Sequence, residues 1–441
     1  MNNQIQIKQG RIIDPANQID HIGSVYIADG KIVSVTHEPL GFKPDIVINA
    51  DNQIVCPGFI DLSTRLREPG QSRKATFKSE TLAAASAGIT TMCLQPDTKP
   101  VIDTPAVVEL INELADKARY PQIYPIAALT RSLEGTELSS MLSLKEAGCI
   151  AVGNANQPVR NLLILRRAME YAASHDLLLM FRSNDYWLGN NGCAHEGVFA
   201  TRYGLPSIPE AAETIALAQC LELAELTGCR VHFGQLSCKR SVIKIHQAKK
   251  YGLNVSADVA AHQLHLTEND IAPFDSAYHV LPPLRTEADK QYLRQGLAGG
   301  TLDSICSDHQ PHDIDAKLGA FPETEPGISS LETLLPLMLK LVTQHAITLE
   351  QGIALLSQNP AQILRLKSGA LTPGLSADVC IFDAELEWQV NSENWLSRGI
   401  NTPFWGQTMK GRVTHTLQSG KIIFQLETSA AHSSHRLWMA N

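Results

Sequence analysis

Within Ser307-Asp308-His309-Gln310-Pro311-His312, one carboxylate and two imidazoles fall inside six residues. Such a group could ligate a divalent metal or move a proton during hydrolysis. A working metal centre draws its ligands from several chain segments, so this run alone fits a packed loop better. His262 and His265, three apart behind a strand-like segment, read as core or surface histidines rather than ligands. Arg65 and Arg182 could bind an anion, or pair with Asp308 or Asp97. The ion pair is the expectation, because a buried cation needs a partner. Lys239-Arg240 and Lys249-Lys250 read as solvated pairs. The nine cysteines include no CxxC pair, which points to reduced, buried thiols and a cytoplasmic setting.

The elements that must position these residues change character along the chain. Before residue 56 short strands alternate with turns, as in Val25-Tyr26-Ile27-Ala28-Asp29-Gly30-Lys31-Ile32-Val33. Its Asp-Gly step suits a tight hairpin, since both residues tolerate positive φ. From Ile54 onward, apolar runs such as 90–94, 123–127, 177–181, 230–233, 255–259 and 304–307 alternate with helix-period stretches. The clearest of these are 76–87, 105–118, 162–174, 209–227 and 241–251. Repeated β-then-α units over about 300 residues predict a closed (β/α)₈ barrel. The tail returns to strands at 377–382, 387–390, 411–417 and 421–424. Residues 1–55 and 365–428 are therefore expected to form one small β-sandwich from both chain ends, flanking a barrel over 56–364. Residues 429–441 are expected to be a frayed tail.

The composition excludes several classes. A formal charge of −8 offers no basic face for nucleic acid or an anionic membrane. No apolar run approaches the roughly 18 residues that a membrane span requires. The segment Met1-Asn2-Asn3-Gln4-Ile5 carries no secretory signal pattern.

An ordered set of motifs resembles the dihydroorotases of the amidohydrolase superfamily. Pro57-Gly58-Phe59-Ile60-Asp61-Leu62-Ser63-Thr64-Arg65-Leu66-Arg67-Glu68-Pro69-Gly70 resembles PGFIDxHxHxREPG. Gln95-Pro96-Asp97-Thr98-Lys99-Pro100 is similar to MPNTxP, and 205–213 to GxPxxAE. Pro282-Pro283-Leu284-Arg285 resembles NPPLR, and Ser307 to His312 resembles TDHAPH. Glu325-Pro326-Gly327-Ile328, Leu331-Glu332-Thr333, Asn359-Pro360-Ala361 and 374–379 complete the series. The resemblance implies an amidohydrolase barrel in which one or two divalent metals activate water to open a cyclic amide.

This chain departs from the pattern where the resemblance places metal ligands. The HxH pair falls on Ser63 and Arg65. Neutral Ser is a poor ligand, and Arg offers no lone pair and stays charged. The bridging acid falls on Asn154, the next histidine on Phe181 or Arg182, and the second histidine of HxxHxS on Gln235. Asp308 alone is retained, as a vestige. Among the substrate positions, Arg67 is retained, Asp97 replaces an Asn, and Leu281 replaces the Asn before Pro-Pro.

The expectation is thus a non-catalytic homologue with no metal and no other cofactor. The resemblance implies a scaffolding partner of the aspartate carbamoyltransferase catalytic chain in pyrimidine biosynthesis, itself a homo-oligomer. The alternative is an active dihydroorotase or other cyclic-amide hydrolase, with a reduced zinc site built on Asp308 and His309, His312, His262 or His232. An inactive assembly protein resembling relatives of dihydropyrimidinase is a third possibility.

Overall fold

The computed structural model describes residues 4–427 apart from 190 and 273; the tail expected at 429–441 lies outside the described residues. The first five strands are β1 (Ile5–Asp14), β2 (Ile19–Ala28), β3 (Lys31–Val35), β4 (Ile46–Asn49) and β5 (Ile54–Pro57). β1 carries the apolar residues on both sides of Gln9 in a single strand. A register shift between Ile7 and Gly10, with Gln9 at positive φ, interrupts its pairing to β2. The Asp29-Gly30 turn has both residues at positive φ, as its hairpin requires.

The apolar run that begins at Ile54 is divided by Gly58. Ile54–Pro57 joins the terminal sheet, whereas β6 (Phe59–Thr64) opens the barrel. A Cβ on Gly58 would lie 2.4 Å from the Thr90 side chain, so only glycine lets the chain pass between the two sheets.

The barrel continues with β7 (Ile89–Leu94), β8 (Gln122–Ala128), β9 (Ala151–Gly153) and β10 (Leu178–Arg182). A short parallel pair, β11 (Ala194–His195) and β12 (Ser207–Ile208), stands outside it. Then follow β13 (Arg230–Gly234), β14 (Val255–Ala260) and β15 (Ser304–Cys306). The eight barrel strands are parallel and ordered consecutively. A parallel bridge between Thr64 and His309 joins the last strand end to the first. Helices Pro105–Ala118 and Leu162–Ser174 bury Val108, Ile111, Leu165 and Met169 against the barrel and turn charged residues outward. Ala83, Ala84, Ala85 and Ala87 are buried, which allows the close helix packing their size suggests.

Three strands close the terminal sheet: β16 (Val379–Gln389), β17 (Thr408–Gln418) and β18 (Lys421–Gln425). Its order is β18-β17-β16-β5-β1-β2-β3, with β4 added beside β1. The sheet curls until its hairpins meet, since a Cβ on Gly30 would lie 2.8 Å from the Ser419 carbonyl oxygen. Ile5, Ile7, Ile12, Val25, Ile27, Val55, Ile381 and Leu417 fill the space inside. Both chain ends therefore build one unit with its own apolar core.

Candidate functional site

In barrels of this kind, chemistry gathers where the strands end. Ser63 and Arg65 are two residues apart at the end of β6, so their side chains share a face. Arg65 is only 4% exposed. Its Nε donates to Asp97 Oδ2 at 2.7 Å, and its Nη1 lies 3.6 Å from Asp308 Oδ1. The expected ion pair is present, and it engages both candidate acids at once. Burial disfavours the charge on Arg65, but Asp97 and Asp308 more than offset that and hold the guanidinium protonated. Burial pushes Asp97 upward, and Arg65 and Arg67 outweigh it, holding this carboxylate below its usual range. At Asp308 burial wins over Arg182 and Arg65, and the pKa is raised. Asp308 also accepts two 3.1 Å hydrogen bonds from Gln310 Nε2.

The remaining positions are engaged in bonds of their own. Asn154 accepts from Thr130 N and Oγ1 and donates to the Leu133 and Gln157 carbonyls. Phe181 packs edge-on against Phe233, with centroids 6.0 Å apart. Gln235, at positive φ, accepts at Oε1 from Arg182. Arg182 also donates to Asn156 Oδ1 and to the Leu281 carbonyl. Leu281 thus contributes its backbone, not its side chain. Arg67 donates to the Pro311 carbonyl, and its Nη2 lies 3.0 Å from His312 Nε2. Burial and then Arg65 bring Arg67 down to about 10, still charged at neutral pH. The cavity left among Arg65, Arg67, Gln95 and Asp97 is about 10 Å³, room for one water at most. A larger hollow of about 510 Å³ lies at Glu113, Asp116, Lys117 and Arg119, on the outer helix Pro105–Ala118 and just past its end.

These residues do not fit a divalent metal. The guanidinium of Arg65 holds the retained acid, and Ser63, Asn154, Phe181 and Gln235 supply no imidazole or carboxylate. Among the described residues, no three His, Cys, Asp or Glu side chains are grouped so as to hold an ion. His309 and His312 are turned to packing. His309 Nε2 lies 2.7 Å from Glu80 Oε2, and its Nδ1 accepts from Ser330 N. The buried His232 meets Asp258 at 2.9 Å and Ser256 at 2.8 Å. His262 is buried, and burial followed by Arg182 lowers its pKa to about 3, so it is neutral. Lys249, expected to be solvated, instead pairs with Asp303 at 2.7 Å.

Two networks escaped the reading of the sequence. Glu213 and Arg285, the charged ends of the GxPxxAE-like and PPLR motifs, approach to 3.9 Å while nearly fully buried. Ser237 joins them, donating from N to Glu213 and accepting from Arg285 Nε. Opposite charges closing two motifs were the available signal. The other network is a strap between β16 and β17. Glu332 accepts from Leu396 N and Ser397 N, and Glu80 accepts from Ser397 Oγ and Arg398 N. Asn401 accepts from His312 N and donates to the Gln310 and Gly327 carbonyls. No local pattern announces these contacts, which join residues 64 to 318 positions apart.

A parallel barrel joined to a sheet built from both chain ends is the amidohydrolase architecture. L-hydantoinase from Arthrobacter aurescens superposes with a TM-score of 0.86 over 96% of each chain at 22% identity. A D-hydantoinase structure gives 0.82 over 96% of this chain and 95% of that one at 23% identity. The chain belongs to the dihydroorotase-like family. Residues 52–241 match the family model described as dihydro-orotase-like. A dihydroorotase-like protein of Pseudomonas aeruginosa is 46% identical, covering 95% of this chain and 99% of the relative. A dihydroorotase-like protein of Pseudomonas putida is 45% identical over 95% and 98%. A dihydroorotase of Syntrophus aciditrophicus is 39% identical over 96% and 99%. No helix among the described residues is long and apolar enough to cross a membrane.

Proposed function

We propose that this chain is a non-catalytic member of its family that serves as a structural partner of the aspartate carbamoyltransferase catalytic chain in pyrimidine biosynthesis. The observation that carries the reading is Arg65, a buried permanent cation bonded to Asp97 and set 3.6 Å from Asp308. It stands where a metal-dependent hydrolase needs an imidazole. The cavity of about 10 Å³ beside Arg65 and Asp97 supports the same reading, because a pyrimidine ring needs many times that volume.

Exposed apolar side chains support a macromolecular partner. Trp187 is 73% exposed and Val198 85%, with Leu163, Tyr203 and Phe274 also exposed, the last two rings 5.2 Å apart. Arg160 stacks on Tyr186 at 3.4 Å, and Tyr186 packs edge-on against Trp187. Exposed Trp and Tyr beside Arg is the composition of residues that dominate protein interfaces. Nine free, buried cysteines and a net charge of −8 favour a cytoplasmic role without nucleic acid. Self-association belongs to this proposal as well.

The test is co-purification with the transcarbamoylase, paired with turnover assays on dihydroorotate and N-carbamoyl-aspartate. The expected result is a stable complex and no turnover by the isolated chain. Zinc-dependent ring opening would replace this reading with that of a reduced-site hydrolase.

A further inference from the structure

We infer that Arg65 is the chain's own substitute for a bound cation, holding three strand ends together by neutralising two acids. Its backbone leaves β6, Asp97 follows β7 and Asp308 follows β15. The guanidinium meets one acid at 2.7 Å and the other at 3.6 Å. Arg65 and Asp308 are almost completely buried, so the acid has little water to share its charge. Two carboxylates facing one another without a cation between them would repel each other, and one would have to take up a proton. Arg65 N also donates to the His309 carbonyl at 2.9 Å, and His309 N to that of Ser63 at 3.2 Å, so backbone and side chain close the same seam. Arg182 also acts on Asp308 and Arg67 on Asp97 through space, but neither ion-pairs with them. Arg67 and Arg182 direct their hydrogen bonds to carbonyls, amides and an imidazole rather than to these acids.

This inference concerns the same site as the non-catalytic reading but goes beyond it, since it assigns the site a cation requirement that the chain meets internally. Arg65→Ala should lower the melting temperature by roughly 5 °C or more, the effect of breaking a buried ion pair. Methylguanidinium at millimolar concentration should restore at least half of that loss, and N-methylurea, equal in shape but neutral, should restore none. Arg65→Met fills the space without the charge and should be equally destabilised but beyond rescue. If Arg65→Ala does not fold, Arg65→Met/Asp97→Asn/Asp308→Asn, with the acids removed, should fold. Equal rescue by the neutral analogue, wild-type stability of Arg65→Met, or failure of the neutralised triple variant to fold would overturn the inference. Ring opening by the wild-type chain would defeat the non-catalytic reading without altering the rescue result.

Discussion

Zinc added to the wild-type chain should find no place at the barrel mouth, and the size of the effect follows from one distance. Arg65 Nη1 lies 3.6 Å from the Asp308 oxygen that would have to ligate the metal. A dication bound there would sit within about 4 Å of the guanidinium. With an effective dielectric near 20, the repulsion is about 8 kcal/mol, or roughly a million-fold in affinity. A site of about nanomolar affinity would become one of about millimolar affinity. The two acids cannot recover this, because Asp97 is already bonded to Arg65 and Asp308 to Gln310. The measurement is the melting temperature with chelator and with micromolar zinc, together with metal content after gel filtration. The expected shift is near zero and the expected zinc sub-stoichiometric. One zinc per chain that is lost on Asp308→Asn would refute the electrostatic reasoning.

Three further outcomes test other parts of the structure. Arg285→Met strands the buried Glu213 and should cost about 3–5 kcal/mol, with much of it recovered in Arg285→Met/Glu213→Gln; strictly additive urea midpoints would contradict the coupling. Burial pushes Glu332 up to about 8 against the hydrogen bonds from Ser397 and Leu396. Its folded-state pKa lies above the unfolded value of 4.5, so the folded chain binds the extra proton between these limits. Stability should therefore fall as pH rises from about 4.5 to 8, and Glu332→Gln should flatten part of that slope in melting curves; an unchanged slope would clear Glu332 of the effect. Trp187→Ala removes a 73% exposed ring; it should leave melting within about 1 °C while weakening transcarbamoylase binding roughly tenfold or more, as read by calorimetric titration.

Much of the architecture was legible because it is written locally. The helix over 105–118 and that over 162–174 have the bounds their periodicity indicates. The barrel strands are apolar runs that need no distant information to recognise. That arginine offers a metal no lone pair is likewise a property of the residue itself and needs no distant neighbour. What stayed hidden depends on long-range neighbours. Nothing near Glu80 in sequence indicates that it meets His309, 229 positions away. The amide of Asn154 shows only in three dimensions that it serves the Thr130 loop rather than the mouth. The strap was missed for the same reason: β16 and β17 were visible as strands, but their connection is held by groups on the barrel.

The placement of β5 between β1 and β16 has a consequence for biosynthesis. During translation, residues 54–57 leave the ribosome more than 320 residues ahead of the strand they must zip against. Until Val379–Phe382 arrives, one flank of that ribbon has open amide and carbonyl groups, a surface prone to mispairing. A stalled or truncated message would thus yield a finished cylinder with a raw seam, and chaperone dependence should concentrate in that interval.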